Sequence, residues 1–149
     1  MNVELLQKTF LFFNTLTRSD LENFLRFCKP LSLQEGDYLW HEGDSDNFAA
    51  FILKGKIGIK KRTDFGGRSV FVGTYGTGSV VGELCLLTTN SRRVAAEAIE
   101  DTDTLILESE KFEELIVHHP LIGLSLLRHI FITTSARLTK SYERIASIF

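Results

Sequence analysis

Only two cysteines occur in the chain, Cys28 and Cys85, far apart and outside any Cys-x-x-Cys pattern. Two thiols cannot supply the four ligands of an iron–sulfur cluster, and their spacing suits reduced, mostly buried side chains. No stretch approaches the roughly 20 apolar residues of a membrane-spanning helix. The N-terminus, Met1 to Lys8, lacks both the basic and the sustained apolar region of a signal peptide. A cytoplasmic location without membrane association is therefore expected. Positive charge is not in excess either. Seventeen Lys and Arg against 19 Asp and Glu leave a net charge of −2, without the basic footprint of a nucleic-acid binder. The four histidines form no His-x-His pair followed by an acid, the pattern a metal-binding barrel needs. No Ser–His–Asp or Cys–His arrangement has local support, so catalysis is not expected.

What is present is material for one packed domain over residues 1–149, with 44% hydrophobic residues and 12 Phe, mostly outside the last third. Three regions follow from the patterning. Residues 1–30 read as helical from about Val3 to Cys28. Leu5, Leu6, Phe10, Phe13 and Leu16 keep helical spacing, and Ser19 with Glu22 reads as a capping box. Pro30 ends that helicity. Residues 31–107 hold nearly all the glycines, in turn signals at Glu35-Gly36-Asp37, Gly43-Asp44, Lys54-Gly55, Gly66-Gly67 and Gly76-Thr77-Gly78. Between them lie short segments rich in Val, Ile, Phe and Tyr, the grammar of an antiparallel jelly-roll β-barrel. Lys56-Ile57-Gly58-Ile59-Lys60 alternates, and Gly66-Gly67 reads as a hairpin tip joining it to Arg68–Tyr75. Residues 108–149 return to helix. Ser109 is placed to cap a first segment, His118-His119 to end it, and Pro120 to separate it from a long second helix. The fold class is thus mainly β with flanking helices.

The run from Val81 to Ala96 carries the chemistry. Gly82 lets backbone approach a ligand closely, and the N–H groups opening the Leu84–Leu87 turn carry partial positive charge. Arg92 and Arg93 then lead into a small-residue segment, where a guanidinium fork matches a phosphate bidentately. A carboxylate such as Glu83 is the natural acceptor for a sugar hydroxyl. The parts describe a sugar-phosphate site, set against the alternative of a solvated acid and a strand-end arginine.

This run resembles the phosphate-binding cassette of the cyclic nucleotide-binding domain family, the sensor module of catabolite activator protein-type regulators. Gly82-Glu83-Leu84 and Arg93-Val94-Ala95 match the two halves of its pattern, with Leu86-Leu87 between. Gly36-Asp37-Tyr38-Leu39, Glu42-Gly43-Asp44 and Phe51-Ile52-Leu53-Lys54-Gly55-Lys56 resemble its earlier turns and central strand. The resemblance implies that Glu83 takes the ribose 2′-hydroxyl and that Arg93 takes the cyclic phosphate with the Gly82, Glu83, Leu84 and Cys85 backbone. Arg92 is then a solvent-facing neighbour, though it is also the alternative phosphate ligand. Val81 replaces the usual aromatic, and Val94 replaces a common Ser/Thr that in some members helps choose guanine. Cyclic AMP is thus favoured among cyclic nucleotides. With two cysteines the chain does not fit the iron–sulfur, oxygen-sensing branch of the same superfamily.

The resemblance also implies that the long helix dimerises the sensor and closes over the ligand. Leu124, Leu127, Phe131, Thr134, Leu138, Ser141, Ile145 and Ile148 fall at steps of three and four, a heptad seam with two polar interruptions. A homodimer through this helix is expected. Thr133 or Thr134 is a candidate to reach the base, or simply a register-setting polar position. Counted from Pro120, the family's base-reading turn falls near Arg137 and Leu138, which carry no matching hydroxyl. No helix-turn-helix or basic recognition helix follows, so direct nucleic-acid binding is not expected. Output would come from a protein partner or from a further domain of a longer regulator. Two rival readings are a ligand-free structural or dimerisation module of the same fold and a cupin-type metal-binding barrel enzyme.

Overall fold

The computed structural model describes residues 2–149. Two helices open the chain, α1 (Val3–Thr9) and α2 (Arg18–Phe27), separated by a single 3-10 turn at Leu11–Phe13. The helices expected between Val3 and Cys28 are thus two, separated over 10–17. Phe10 takes an extended conformation there, which turns it, Phe12 and Phe13 into an aromatic cluster. The capping box also lies two residues earlier than expected. Thr17 accepts from the Asp20 backbone N–H at 3.2 Å, and Asp20 accepts from the Thr17 N–H at 2.9 Å, leaving Ser19 inside the helix.

Eight strands follow: β1 (Lys29–Leu33), β2 (Tyr38–Trp40), β3 (Phe48–Lys54), β4 (Lys56–Arg62), β5 (Ser69–Gly76), β6 (Val80–Val81), β7 (Ala95–Ala98) and β8 (Thr102–Glu108). They form two four-stranded antiparallel sheets, ordered β1-β8-β3-β6 and β2-β7-β4-β5, which face one another as a jelly roll. Lys56–Arg62 pairs with Ser69–Gly76 across the Gly66-Gly67 tip, as the sequence predicts. Strands β3 and β8 are covered on both faces. Ala50, Ile52 and Ile106 point between the sheets, while Ala49, Phe51, Leu105 and Leu107 pack under the helices. That double burial explains why Phe48–Leu53 is a continuous apolar run rather than an alternating one.

Helices α3 (Ser109–His118) and α4 (Pro120–Ala146) close the fold. Ser109 does not cap α3. Glu108 holds the N-cap position with no side-chain bond, and Ser109 is the first helical residue. Pro120 occupies the first turn of α4, where its missing N–H costs nothing. Ile122, Leu126 and Ile130 on α4 are buried with Phe10, Phe13, Phe24, Phe51 and Phe112 in one core. The opposite stripe is not covered. Leu124, Phe131, Leu138, Ile145 and Ile148 are exposed along the expected seam.

The N-terminal segment is tied to α4 by the Phe12 ring stacked on His129, centroids 3.8 Å apart, and by Ser125 Oγ donating to the Phe12 carbonyl at 3.1 Å. Burial, with Arg137 adding repulsion, lowers the pKa of His129 below its ordinary value. A depressed folded-state pKa means that the unfolded chain takes up the proton first as pH falls. Stability linked to His129 is then fully present above about pH 6.5 and is lost on acidification through the lower folded-state pKa. Denaturant melts at pH 7.5 and 5.5 should show a loss for the native chain that His129→Gln reduces. An equal loss in both would remove His129 as the cause.

Candidate functional site

The second sheet and the β6–β7 connection enclose a cavity of about 290 Å³, at the small end of ligand-pocket volumes. Its wall contains Gly82, Glu83, Leu84, Cys85, Arg92, Arg93 and Val94, so the cassette residues expected to touch a ligand are brought to one place, while Leu86, Leu87 and Ala95 do not line it. Trp40, Ile59, Tyr75 and Val81 supply its apolar sides. Thr133 and Thr134 do not line it; the α4 residue that does is Arg137. Thr133 instead faces His129 one helical turn back, Oγ1 to Nε2 at 3.5 Å.

The two arginines are placed opposite to expectation. Arg92 is not solvent-facing but only 4% exposed, whereas Arg93 is exposed at the rim. The Arg92 guanidinium lies over the Trp40 ring at 3.7 Å and near Phe48 at 4.7 Å. Its Nε donates to Asp46 Oδ1 at 2.9 Å, Nη2 to the Phe48 carbonyl at 2.7 Å, and Nη1 to Cys85 Sγ at 3.0 Å. Its backbone is held as well, donating to the Asp44 carbonyl and accepting from the Gly43 N–H, both at 2.7 Å. Among the described residues, the Arg93 side chain has no hydrogen-bond partner, and its carbonyl accepts from Lys61 Nζ at 2.9 Å. Burial is what the sequence could not show, because the counter-charge sits in a different loop.

Gly82 is fixed by this arrangement. Its φ is +73°, and a Cβ there would stand 2.6 Å from Arg92 Nη1 and 2.7 Å from the Trp40 ring. The chain then enters a 3-10 turn, Glu83–Leu86, whose N-cap Gly82 supplies no side-chain hydrogen bond to its first N–H groups. Burial raises the Cys85 thiol above its ordinary pKa, with the adjacent Arg92 charge opposing, so it stays a protonated, packed thiol rather than a nucleophile.

Glu83 is buried too, and its partner comes from the far end of the chain. Arg137 Nη1 binds Glu83 Oε1, Nη2 reaches the Val80 carbonyl at 3.3 Å, and the guanidinium lies 4.5 Å from the Tyr75 ring centroid. Asp46, Trp40 and Tyr75 were missed from sequence. The single tryptophan and an Asp beside the Glu42-Gly43-Asp44 turn were the available signals. Among the described residues, no group of three or more His, Cys, Asp or Glu is placed to hold a metal ion.

Comparison with known proteins bears on this geometry. Residues 30–119 match the profile of the family described as the cyclic nucleotide-binding domain. The cyclic AMP receptor protein of Thermus thermophilus is 28% identical over 111 residues, which cover 74% of this chain and 51% of that protein. Lysophospholipase NTE1 of Chaetomium globosum is 31% identical over 100 residues, 67% of this chain but 6% of the enzyme. The chain thus spans about half of one relative and a small fraction of the other. Among solved structures, a cyclic nucleotide-binding domain from Methylobacillus flagellatus superposes with a TM-score of 0.84 at 22% identity, covering 99% of this chain and 82% of that one. The catabolite activator protein of Thermus thermophilus gives 0.76 at 24% identity, covering 92% and 62%. On this profile match, with the same fold in both structures, the chain belongs to the cyclic nucleotide-binding domain family.

Proposed function

We propose that the chain is a non-catalytic sensor that binds a 3′,5′-cyclic nucleotide, cyclic AMP in preference to cyclic GMP, and couples its occupancy to the geometry of a dimer. The observation that carries the reading is the buried Arg92 guanidinium facing a cavity across from the Gly82–Cys85 turn. Three of its N–H groups are committed to Asp46, Phe48 and Cys85, which leaves two of the five for a ligand oxygen. A guanidinium held so rigidly loses little further freedom when it binds a phosphate. Arg92 therefore replaces Arg93 as the favoured phosphate ligand, with Arg93 at the rim as its rival. Glu83 gives Oε1 to Arg137 and keeps Oε2 for a ribose hydroxyl. Val94 offers no hydroxyl to a guanine, which favours adenine.

The link to assembly runs through Arg137. A ligand that shares Glu83 with Arg137 touches the long helix directly, and differential affinity for two positions of α4 would shift the population between them. The exposed stripe of Leu124, Phe131, Leu138, Ile145 and Ile148 is proposed to meet its twin in a homodimer. One observation favours a second reading, a ligand-free structural module. Arg92 and Glu83 already have ionic partners within the chain, so the cavity is electrostatically self-sufficient.

Calorimetry separates the two. Cyclic AMP should bind more tightly than AMP or cyclic GMP; a folded chain that gives no heat with any nucleotide would select the structural module. Arg92→Ala should weaken binding by about 2–5 kcal/mol, the cost of leaving a buried anion without its charged partner. Arg93→Ala at the exposed rim should cost about 0–1 kcal/mol, and the reverse ranking would transfer the phosphate to Arg93. Glu83→Gln should have an intermediate effect that disappears with a 2′-deoxy ligand. Sedimentation tests the assembly: Phe131→Glu with Leu138→Glu places like charges across the seam and should turn dimers into monomers. A native chain that is already monomeric at micromolar concentration would end the dimer coupling.

A further inference from the structure

Strands β4 and β5 outgrow their sheet. A register shift between Ile59 and Lys60 bends the pair, and from Lys61 to Val72 every residue except Thr63 is exposed. The tip is closed by Gly66 and Gly67, both at positive φ, with the Thr63 N–H and hydroxyl bonding the Arg68 carbonyl at 2.8 and 2.9 Å. On this ordered tip stands Phe65, 92% exposed, followed along the edge strand by Val70, Phe71 and Val72, each about half exposed. A two-stranded ribbon that leaves so much apolar surface in water gains by covering it.

The charge of the same ribbon is lopsided. Six basic residues and one acid, Asp64, lie between Lys54 and Gly76, in a chain whose net charge is −2. Lys60 and Lys61 are neutralised by Glu97 and Glu42. Among the described residues, Arg62, Arg68 and Arg93 have no ion-pair partner. At the root of the hairpin a polar hollow of about 700 Å³ is lined by Lys60, Lys61, Arg62, Arg92 and Arg93, with Glu42 as its acid.

We propose, against the expectation from sequence of no membrane association, that the β4–β5 hairpin is a peripheral docking element for an anionic lipid surface, with Phe65 entering the headgroup layer and Arg62 and Arg68 meeting the phosphates. Each arginine lies three residues behind Phe65, about 10 Å along a strand, so the cations stay among headgroups while the ring sits roughly 5–10 Å deeper. The shape argues the same way. A convex tip with a single ring suits a soft surface, whereas a protein partner would need a pocket to receive it. Neither signal suffices alone, since one aromatic ring and a few cations each give only reversible attachment. No helix of the described residues is long and apolar enough to span a membrane, so the contact is superficial.

Flotation of the intact chain with phosphatidylcholine vesicles, with and without phosphatidylserine, tests this. Binding should require phosphatidylserine and weaken as salt is raised. Phe65→Ser should weaken it by about tenfold, and Arg62→Ala with Arg68→Ala should remove it. The same variants should keep the native melting temperature and nucleotide affinity, because none of these residues lines the ligand cavity or belongs to a buried cluster. Equal binding to both vesicle types, no binding to either, or indifference to Phe65→Ser would overturn the proposal. So would a change in the sedimentation of the lipid-free chain in the hairpin variants, which would assign the ribbon to a protein contact.

Discussion

A single buried cation organises the ligand-facing half of this molecule. Arg92 is sandwiched against Trp40, tied to Asp46 and bonded to the Phe48 carbonyl, so one side chain joins the end of β2, the loop before β3 and the turn after β6. Removing a guanidinium from water costs several kcal/mol, and the aromatic face, the carboxylate and the carbonyl together offset it. Gly82 follows from that choice: with the guanidinium and the indole filling the space, no side chain fits. The cavity is therefore shaped by an electrostatic arrangement as much as by the barrel around it.

The two sheets are unequal in what they do. The sheet containing β3 and β8 is the shared wall, apolar on both faces, with the aromatic core of the helices on one side and the inter-sheet core on the other. The sheet containing β4 and β5 has only one covered face, so its outer side carries lysine–glutamate pairs and its free edge runs out into the exposed hairpin. Apolar burial is concentrated where the helices meet the barrel, and exposed surface lies at the opposite edge.

Much of this was legible in sequence, and the reason lies in range. Patterns of two or three and a half residues announce strands and helices, and the barrel, its Gly66-Gly67 hairpin and the long helix after Pro120 all appear where periodicity and turn residues put them. The cassette residues also gather at one cavity because they are neighbours in the chain. What failed depended on partners far away. Arg92 looked like a surface residue because Asp46 and Trp40 lie 46 and 52 positions earlier. Arg137 looked like a poor replacement for a hydroxyl because nothing local says that it reaches Glu83 across 54 residues. The extended Phe10 that separates the two N-terminal helices is not legible locally because the apolar spacing continues through it; tertiary packing of the aromatic cluster overrides a helical period. The caps at Thr17 and Glu108 moved by a residue or two, the usual margin for helix ends.

Helix α4 is two mechanical objects in one. Its first three turns are embedded in the aromatic core through Ile122, Leu126 and Ile130. From Phe131 to Ala146 it extends about 24 Å with its apolar stripe uncovered, and among the described residues all its polar contacts with the barrel come from Arg137. Hydrophobic burial is indifferent to mobile ions at ordinary concentrations, whereas the Arg137–Glu83 pair, one-third exposed at the arginine but 7% at the carboxylate, is screened in part and less than a surface pair. The anchored part of the helix should thus hold its place across a wide range of ionic strength while the distal part swings more freely as salt rises. On the coupling proposed above, an electrolyte with no nucleotide present would act on the same Glu83–Arg137 contact that a ligand would share.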